Sequence, residues 1–131
     1  MGLVGNTPMI KINYEYNGKN KYVYTKLEYY NLTGSIKDRV AQYIIKNALK
    51  TGKLKEGMPI IEATSGNTGI ALSAIGAKIK CPVYIFMPDW ASKERIELMK
   101  MYGANLILVS KADGGFIKCV DLAIKMSKVF C

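Results

Sequence analysis

Lys37 stands in the segment Leu27-Glu28-Tyr29-Tyr30-Asn31-Leu32-Thr33-Gly34-Ser35-Ile36-Lys37-Asp38-Arg39, and a glycine-bracketed loop, Thr64-Ser65-Gly66-Asn67-Thr68-Gly69, follows downstream. A lysine amine titrates near pKa 10.4, so only about four in ten thousand are neutral at pH 7. Carbonyl chemistry at such an amine therefore needs a depressed pKa. Ser35 reads as an N-cap, which puts Lys37 in the first turn of a helix, where the positive end of the macrodipole opposes a further positive charge. Burial would act in the same direction. The Thr64–Gly69 loop has the composition of an anion site. Its glycines allow close backbone approach, Ser65 and Thr68 carry hydroxyls, and a helix beginning at Asn67 would offer free amides. These features do not say which anion, and a tight strand-to-helix connection would look similar. The spacing matches neither a P-loop nor a dinucleotide fingerprint.

The elements that must hold these groups follow from periodicity. Met9 to Tyr16 and Lys21 to Glu28 alternate around Asn17-Gly18, which predicts a β-hairpin. From Ser35 to Lys50 the period becomes helical, with Val40, Ala41, Ile44, Ile45, Ala48 and Leu49 on one face and Gly52 as the stop. Pro59 to Ala63 reads as a strand, Asn67 to Lys78 as a helix rich in small residues, and Val83 to Met87 as a buried strand. Ser92 opens a helix that runs to Tyr102 before Gly103. Leu106 to Val109 is a further strand, and Phe116 to Phe130 a last amphipathic helix. Strands alternating with helices of this length predict an α/β fold with a parallel sheet and right-handed crossovers.

Composition narrows the function classes. The chain has 131 residues, half of them hydrophobic, enough for one genuine core. No apolar run is long enough to span a bilayer, and the N-terminus lacks the pattern of a signal peptide. Asn6 replaces the Ser or Thr of a myristoylation motif. The cytoplasm is the expected compartment, with no membrane partner. Three cysteines, Cys81, Cys119 and Cys131, are an odd and widely spaced set that argues against a disulfide framework, and the absence of histidine argues against zinc. The net charge of +9 raises a nucleic-acid reading. Against it, all but two of the nineteen basic residues are scattered lysines, and only Arg39 and Arg95 offer a bidentate fork. The expectation is a solvated basic surface that favours small anions, without nucleic-acid binding.

Taken together, these segments resemble the fold-type II pyridoxal-phosphate enzymes, and within them the cysteine synthase and cystathionine β-synthase family. The resemblance rests on Gly5-Asn6-Thr7-Pro8, Lys26-Leu27-Glu28, Asn31 to Arg39, and Ile61-Glu62-Ala63 leading into Thr64–Gly69. Met87-Pro88, Ser92, Glu94-Arg95 and Tyr102-Gly103-Ala104 continue it in order. Asp89-Trp90-Ala91 and Asp113-Gly114-Gly115-Phe116 resemble a sub-branch related to bacterial hydrogen-sulfide producers.

The resemblance implies pyridoxal 5′-phosphate as cofactor, held by Lys37 through a Schiff base and by Asn67. It implies Lys37 as the catalytic base and Thr64, Ser65, Gly66, Asn67 and Thr68 as the substrate-binding loop, which makes the anion a carboxylate. The implied reaction is β-replacement on O-acetylserine, or a related β-substituted amino acid, with sulfide to give cysteine. A sulfide-releasing, cysteine-degrading lyase is the alternative within the family, and a non-catalytic truncated α/β module the alternative outside it. The family is usually homodimeric. The implied fold is the small N-terminal α/β domain over residues 31–131, preceded by a hairpin region, 1–30, that would join a second domain. That C-terminal domain, with the phosphate loop, is expected to be absent, since the helical pattern runs to Phe130-Cys131 without a stop signal.

Overall fold

The computed structural model describes residues 2–130; Met1 and Cys131, and with them the readings placed on those two residues, lie outside the described part. Strands β1 (Met9–Tyr16) and β2 (Lys19–Lys26) pair antiparallel with Met9 opposite Lys26 and Tyr16 opposite Lys19. Asn17 and Gly18 take φ of 52° and 67°, the two positive values a type I′ turn requires. The second strand therefore begins and ends two residues earlier than its alternation predicts, and Glu28 falls in a single 3₁₀ turn, Glu28–Tyr30. Among the described residues the hairpin packs on no other helix or strand, and Ile10, Ile12, Tyr14, Tyr22, Val23 and Tyr24 are all exposed.

The remaining elements are α1 (Lys37–Lys50), β3 (Ile60–Ala63), α2 (Asn67–Lys78), β4 (Val83–Pro88), α3 (Lys93–Met101), β5 (Asn105–Val109) and α4 (Gly115–Ser127). The three strands form a parallel sheet in the order β3-β4-β5, with Ile60 beside Val83 and Tyr84 beside Asn105. Alternation along the strands divides the core into two layers. Ile60, Val83, Ile85 and Met87 pack under α2 and α3, with Ile75 and Met99 among the buried partners, and α1 joins this layer through α2 with Ile45 buried. Phe86 and Val109, with Ile61, Ala63 and Ile107, pack on the opposite face against Cys119 and Ala123 of α4. Small residues let α2 lie close. A Cβ on Gly76 would collide with the Val83 side chain, so alanine there would push the helix off the sheet.

Helix ends explain the boundaries. Gly103, at φ +81°, donates its amide to Lys100 O at 2.8 Å, and Ala104 donates to Met99 O at 3.1 Å, a Schellman stop for α3. The final helix ends at Ser127, short of the predicted Phe130.

Candidate active site

Chain direction brings the two candidate segments to one end of the sheet. The helix α1 leads into β3 and α2 leads out of it, and the two helices pack side by side. At their far ends the Cys81 thiol, just past α2, donates to the Lys55 carbonyl, just past α1, at 3.6 Å. Both helices therefore start at the carboxyl ends of the strands, where an open α/β sheet places its ligands. Their first residues are Lys37 and Asn67, and both side chains are exposed.

The start of α1 is tighter than the sequence predicts. Ser35 Oγ accepts the Lys37 amide at 3.1 Å, while Asp38 and Arg39 donate to Ser35 O and Ile36 O at 3.3 and 3.1 Å. Ser35 thus caps the helix one position before its flanking residue, Ile36. The burial expected of Lys37 is not supplied by these residues; the fold supplies its position at the helix start.

The Thr64–Gly69 loop is built around an uncapped helix. Gly66 precedes α2 in an extended conformation (φ −129°, ψ −159°) and, lacking a side chain, cannot cap the amides of Asn67 and Thr68. Nothing lies within 4 Å of where a Gly66 Cβ would be, so that surface is open to a ligand. Thr64 Oγ1 accepts the Gly66 amide at 3.4 Å, which bends the loop, and Arg95 Nη1 reaches Ser65 O at 3.5 Å. Gly69 serves a different purpose from the one its sequence position suggests. A Cβ there would stand 2.9 Å from Thr64 Cγ2 and 3.1 Å from Met99 Sδ, so this glycine admits close packing behind the loop rather than ligand approach. Ser65 and Thr68 are half-buried beside it.

A polar cluster that spacing alone did not reveal fixes both flanks of Lys37. On one side, the buried Asp38 carboxylate accepts the Thr33 amide at 2.8 Å and the Thr33 hydroxyl at 2.6 Å. On the other, Arg39 pairs with Glu28, which also accepts from Thr7 Oγ1 at 2.7 Å and Asn31 Nδ2 at 2.8 Å. Asn31 Oδ1 in turn holds the Gly5 amide at 2.9 Å, and Lys26 Nζ reaches Thr7 O at 2.6 Å. The Arg39 guanidinium and then the Thr7 hydroxyl hold the Glu28 carboxyl down to about 2, with burial opposing them and the Asn31 amide adding a lesser contribution in the same downward direction. The signal in the sequence was only a set of polar residues separated by up to 32 positions, with no local period.

Comparison with known proteins identifies the family and the fold. The profile of the family described as "Pyridoxal-phosphate dependent enzyme" matches residues 1–129. Cysteine synthase B of Escherichia coli is 45% identical over 124 residues, covering 95% of this chain and 41% of its own length. Among solved structures, a hydrogen sulfide-producing enzyme of Fusobacterium nucleatum superposes with a TM-score of 0.94 at 49% identity, over 98% of this chain and 38% of that one. Cysteine synthase of Entamoeba histolytica gives a TM-score of 0.88 at 42% identity, over 96% and 38%. The chain spans 35–41% of the length of the cysteine synthases of Salmonella typhimurium, E. coli, Aquifex aeolicus and Bacillus subtilis that it matches. With a family match over nearly every residue and the fold retained, this chain belongs to the pyridoxal-phosphate-dependent enzymes.

Proposed function

We propose that this chain carries the lysine-bearing half of a cysteine synthase-like active site, acting on a β-substituted amino acid such as O-acetylserine with sulfide as the second substrate. The observation that carries the reading is the pair of helix starts at one sheet end, headed by Lys37 and Asn67. The residues present fit pyridoxal phosphate on one side: an exposed amine and an exposed carboxamide stand at the ligand end of the sheet, beside uncapped amides. Lys37 and Asn67 would hold the cofactor. When bound, it supplies an electron sink that stabilises negative charge at the substrate α-carbon.

The chain's own groups do the rest. Thr64, Ser65 and Thr68, with the open amides of Asn67 and Thr68 and the extended backbone at Gly66, receive the substrate carboxylate at the positive end of α2. That anchor orients the α-hydrogen. Lys37 Nζ takes this proton as general base, acetate departs from the β-carbon, hydrosulfide adds there, and the proton returns to the α-carbon to give cysteine. The Asp38 and Glu28 anchors keep the backbone on either side of Lys37 in register with the loop.

A second reading within the same chemistry is the release of sulfide from cysteine, and the likeness to the hydrogen sulfide-producing enzyme of F. nucleatum favours it. The hairpin region, residues 1–30, is proposed as the joint to a second domain, since both of its faces carry exposed large side chains such as Ile12 and Tyr24. A cytoplasmic, homodimeric complete enzyme is the corresponding expectation.

The purified chain tests the assignment directly. Borohydride reduction with pyridoxal phosphate and peptide mapping should label Lys37 above every other lysine. Even labelling across the surface lysines, or preference for another, would overturn it. The chain alone should turn over O-acetylserine and sulfide far below the usual range of about 1 to 1,000 per second, because it covers 41% of a relative's length.

A further inference from the structure

Five lysines gather around the carboxyl end of α1, away from the helix starts that carry Lys37 and Asn67. Lys46 and Lys50 stand one turn apart on α1, Lys53 and Lys55 follow in the turn beyond it, and Lys80 lies just past α2. The bond from the Cys81 thiol to the Lys55 carbonyl, at 3.6 Å, brings these two segments together. All five lysines are exposed. Between Asp38 and Asp89 the sequence has only two acids, Glu56 and Glu62, and Glu62 lies apart in β3, where it accepts the Ala63 amide. Among the described residues no carboxylate pairs with any of the five; Lys46 Nζ donates to Gln42 Oε1 at 3.2 Å.

Two features set this surface apart from scattered, solvated charge. The first is shape. A shallow cavity of about 290 Å³ opens on the exposed face of α1, walled by Tyr43, Lys46, Asn47 and Lys50. The turn beyond it is held in place: Thr51 Oγ1 donates to Asn47 O at 2.8 Å, the Leu54 amide donates to Ala48 O at 3.1 Å, and the Leu54 side chain is buried. A frame so fixed lowers the ordering cost of binding. The second is Lys80, which adopts φ +58°, a left-handed conformation that costs any residue with a β-carbon. A backbone cost carried at a charged residue points to a use for the charge. Helix dipoles account for Lys50, in the last turn of α1, but not for Lys46 a turn earlier or for Lys53 and Lys55 beyond the end.

We propose that this surface docks an extended acidic segment of a partner protein. Four residues of helix span about 6 Å, and alternate residues of an extended chain lie about 6.6 Å apart. Carboxylates at alternate positions therefore meet Lys46 and Lys50 in register. The Tyr43 hydroxyl and the Asn47 carboxamide add neutral donors, and Lys53, Lys55 and Lys80 receive the continuation of the segment. Nucleic acid fits less well. The two arginines, the residues that fork onto phosphate, both stand at helix starts, Arg39 in α1 and Arg95 in α3, and the groove has one aromatic ring rather than a stacking array. The proposal does not depend on the chemistry assigned to Lys37.

The probe is a synthetic peptide of alternating Glu and Ser, about twelve residues and so roughly 40 Å long when extended. Added to the isotope-labelled chain at low salt, it should saturably shift the amides from Tyr43 to Lys55 and at Lys80, and added salt should weaken it. Lys46→Glu combined with Lys50→Glu should weaken binding by about tenfold or more. The charge-matched pair Lys11→Glu with Lys21→Glu, on the hairpin, should change it less than about twofold. Lys80→Gly removes one charge while relieving the left-handed backbone, so it should weaken binding by about two- to fivefold in a chain that is no less stable. No saturable binding, shifts centred on the hairpin or on the Thr64–Gly69 loop, or equal losses in the two charge-matched pairs would overturn the proposal. So would a thymidine oligonucleotide of equal charge that binds as tightly as the peptide, which would make the surface a general polyanion site.

Discussion

Arg39 meets Glu28 with both arms of its guanidinium: Nε donates to Oε2 at 2.8 Å and Nη2 to Oε1 at 3.0 Å. The pair ties the residue two positions beyond Lys37 to the turn that follows the hairpin. Nη2 also donates to Thr7 Oγ1 at 3.0 Å, so three separate segments of chain converge on one fork. A lysine ammonium at position 39 could satisfy one of these acceptors but not the planar set.

The first prediction follows from the Glu28 carboxyl. Its folded-state pKa is about 2 against an ordinary 4.5, so the folded state favours the ionised form. The associated stability is complete above the unfolded value and is lost as pH falls from about 4.5 toward 2. Urea unfolding of the chain from pH 7 to pH 2 should show this fall, and Glu28→Gln should flatten it while lowering stability at pH 7. Parallel curves for the two proteins would mean that the pair does not couple folding to protonation.

The second prediction concerns the end of α2, where Lys80 adopts φ +58° at a position that glycine usually fills. Its amide donates to Ala77 O at 3.3 Å and that of Cys81 to Gly76 O at 3.0 Å, so the stop is a Schellman motif built on the wrong residue. Lys80→Gly should relieve the left-handed cost and stabilise the chain by about 1 kcal/mol, a rise in Tm of about 4 °C. Destabilisation would show that the lysine side chain makes contributions beyond its backbone conformation.

Much of the fold was legible because its elements carry strong local signals. Asn17-Gly18 specified the turn, and the switch from alternation to helical period at Ser35 located α1 within two residues. Gly52 and Gly103 stopped their helices. The loop from Thr64 to Gly69 was legible as a strand-to-helix connection, and glycine and hydroxyl residues do stand where the backbone amides are free. What remained hidden is long-range. The Thr7–Glu28–Asn31–Arg39 cluster joins residues with no common period, and the separate duties of Gly66 and Gly69 depend on what stands behind each. The exposure of Lys37 was likewise invisible, since a helix start can face either core or solvent.

The third prediction uses the thiol of Cys119, which is fully buried with Phe86, Val109 and Ala123 under α4. Burial pushes this thiol above the ordinary 9.0. The folded state therefore favours the neutral form, and its contribution is present below pH 9.0 and lost as pH rises through the elevated value. Alkylation mapped by mass spectrometry should leave Cys119 unmodified at pH 7 and modify it only with global unfolding. Fast modification in the folded chain would mean that α4 opens locally from the sheet face that it covers.

The final prediction separates Gly66 and Gly69 of the Thr64–Gly69 loop. Gly69→Ala places a methyl group 2.9 Å from Thr64 Cγ2 and 3.1 Å from Met99 Sδ, so either the loop or the buried Met99 must move. A cost of about 1 to 3 kcal/mol in unfolding free energy is expected, with altered backbone shifts from Thr64 through Thr68. Gly66→Ala meets nothing within 4 Å and has an extended φ that alanine adopts freely, so stability should stay within about 0.5 kcal/mol. Its new methyl would instead stand in the open space before the amides of Asn67 and Thr68. Titration with O-acetylserine or acetate, followed by amide chemical shifts, should then show weakened binding in the stable Gly66→Ala protein. A Gly66→Ala chain that binds these carboxylates as well as the parent does would remove this face of the loop from the substrate site.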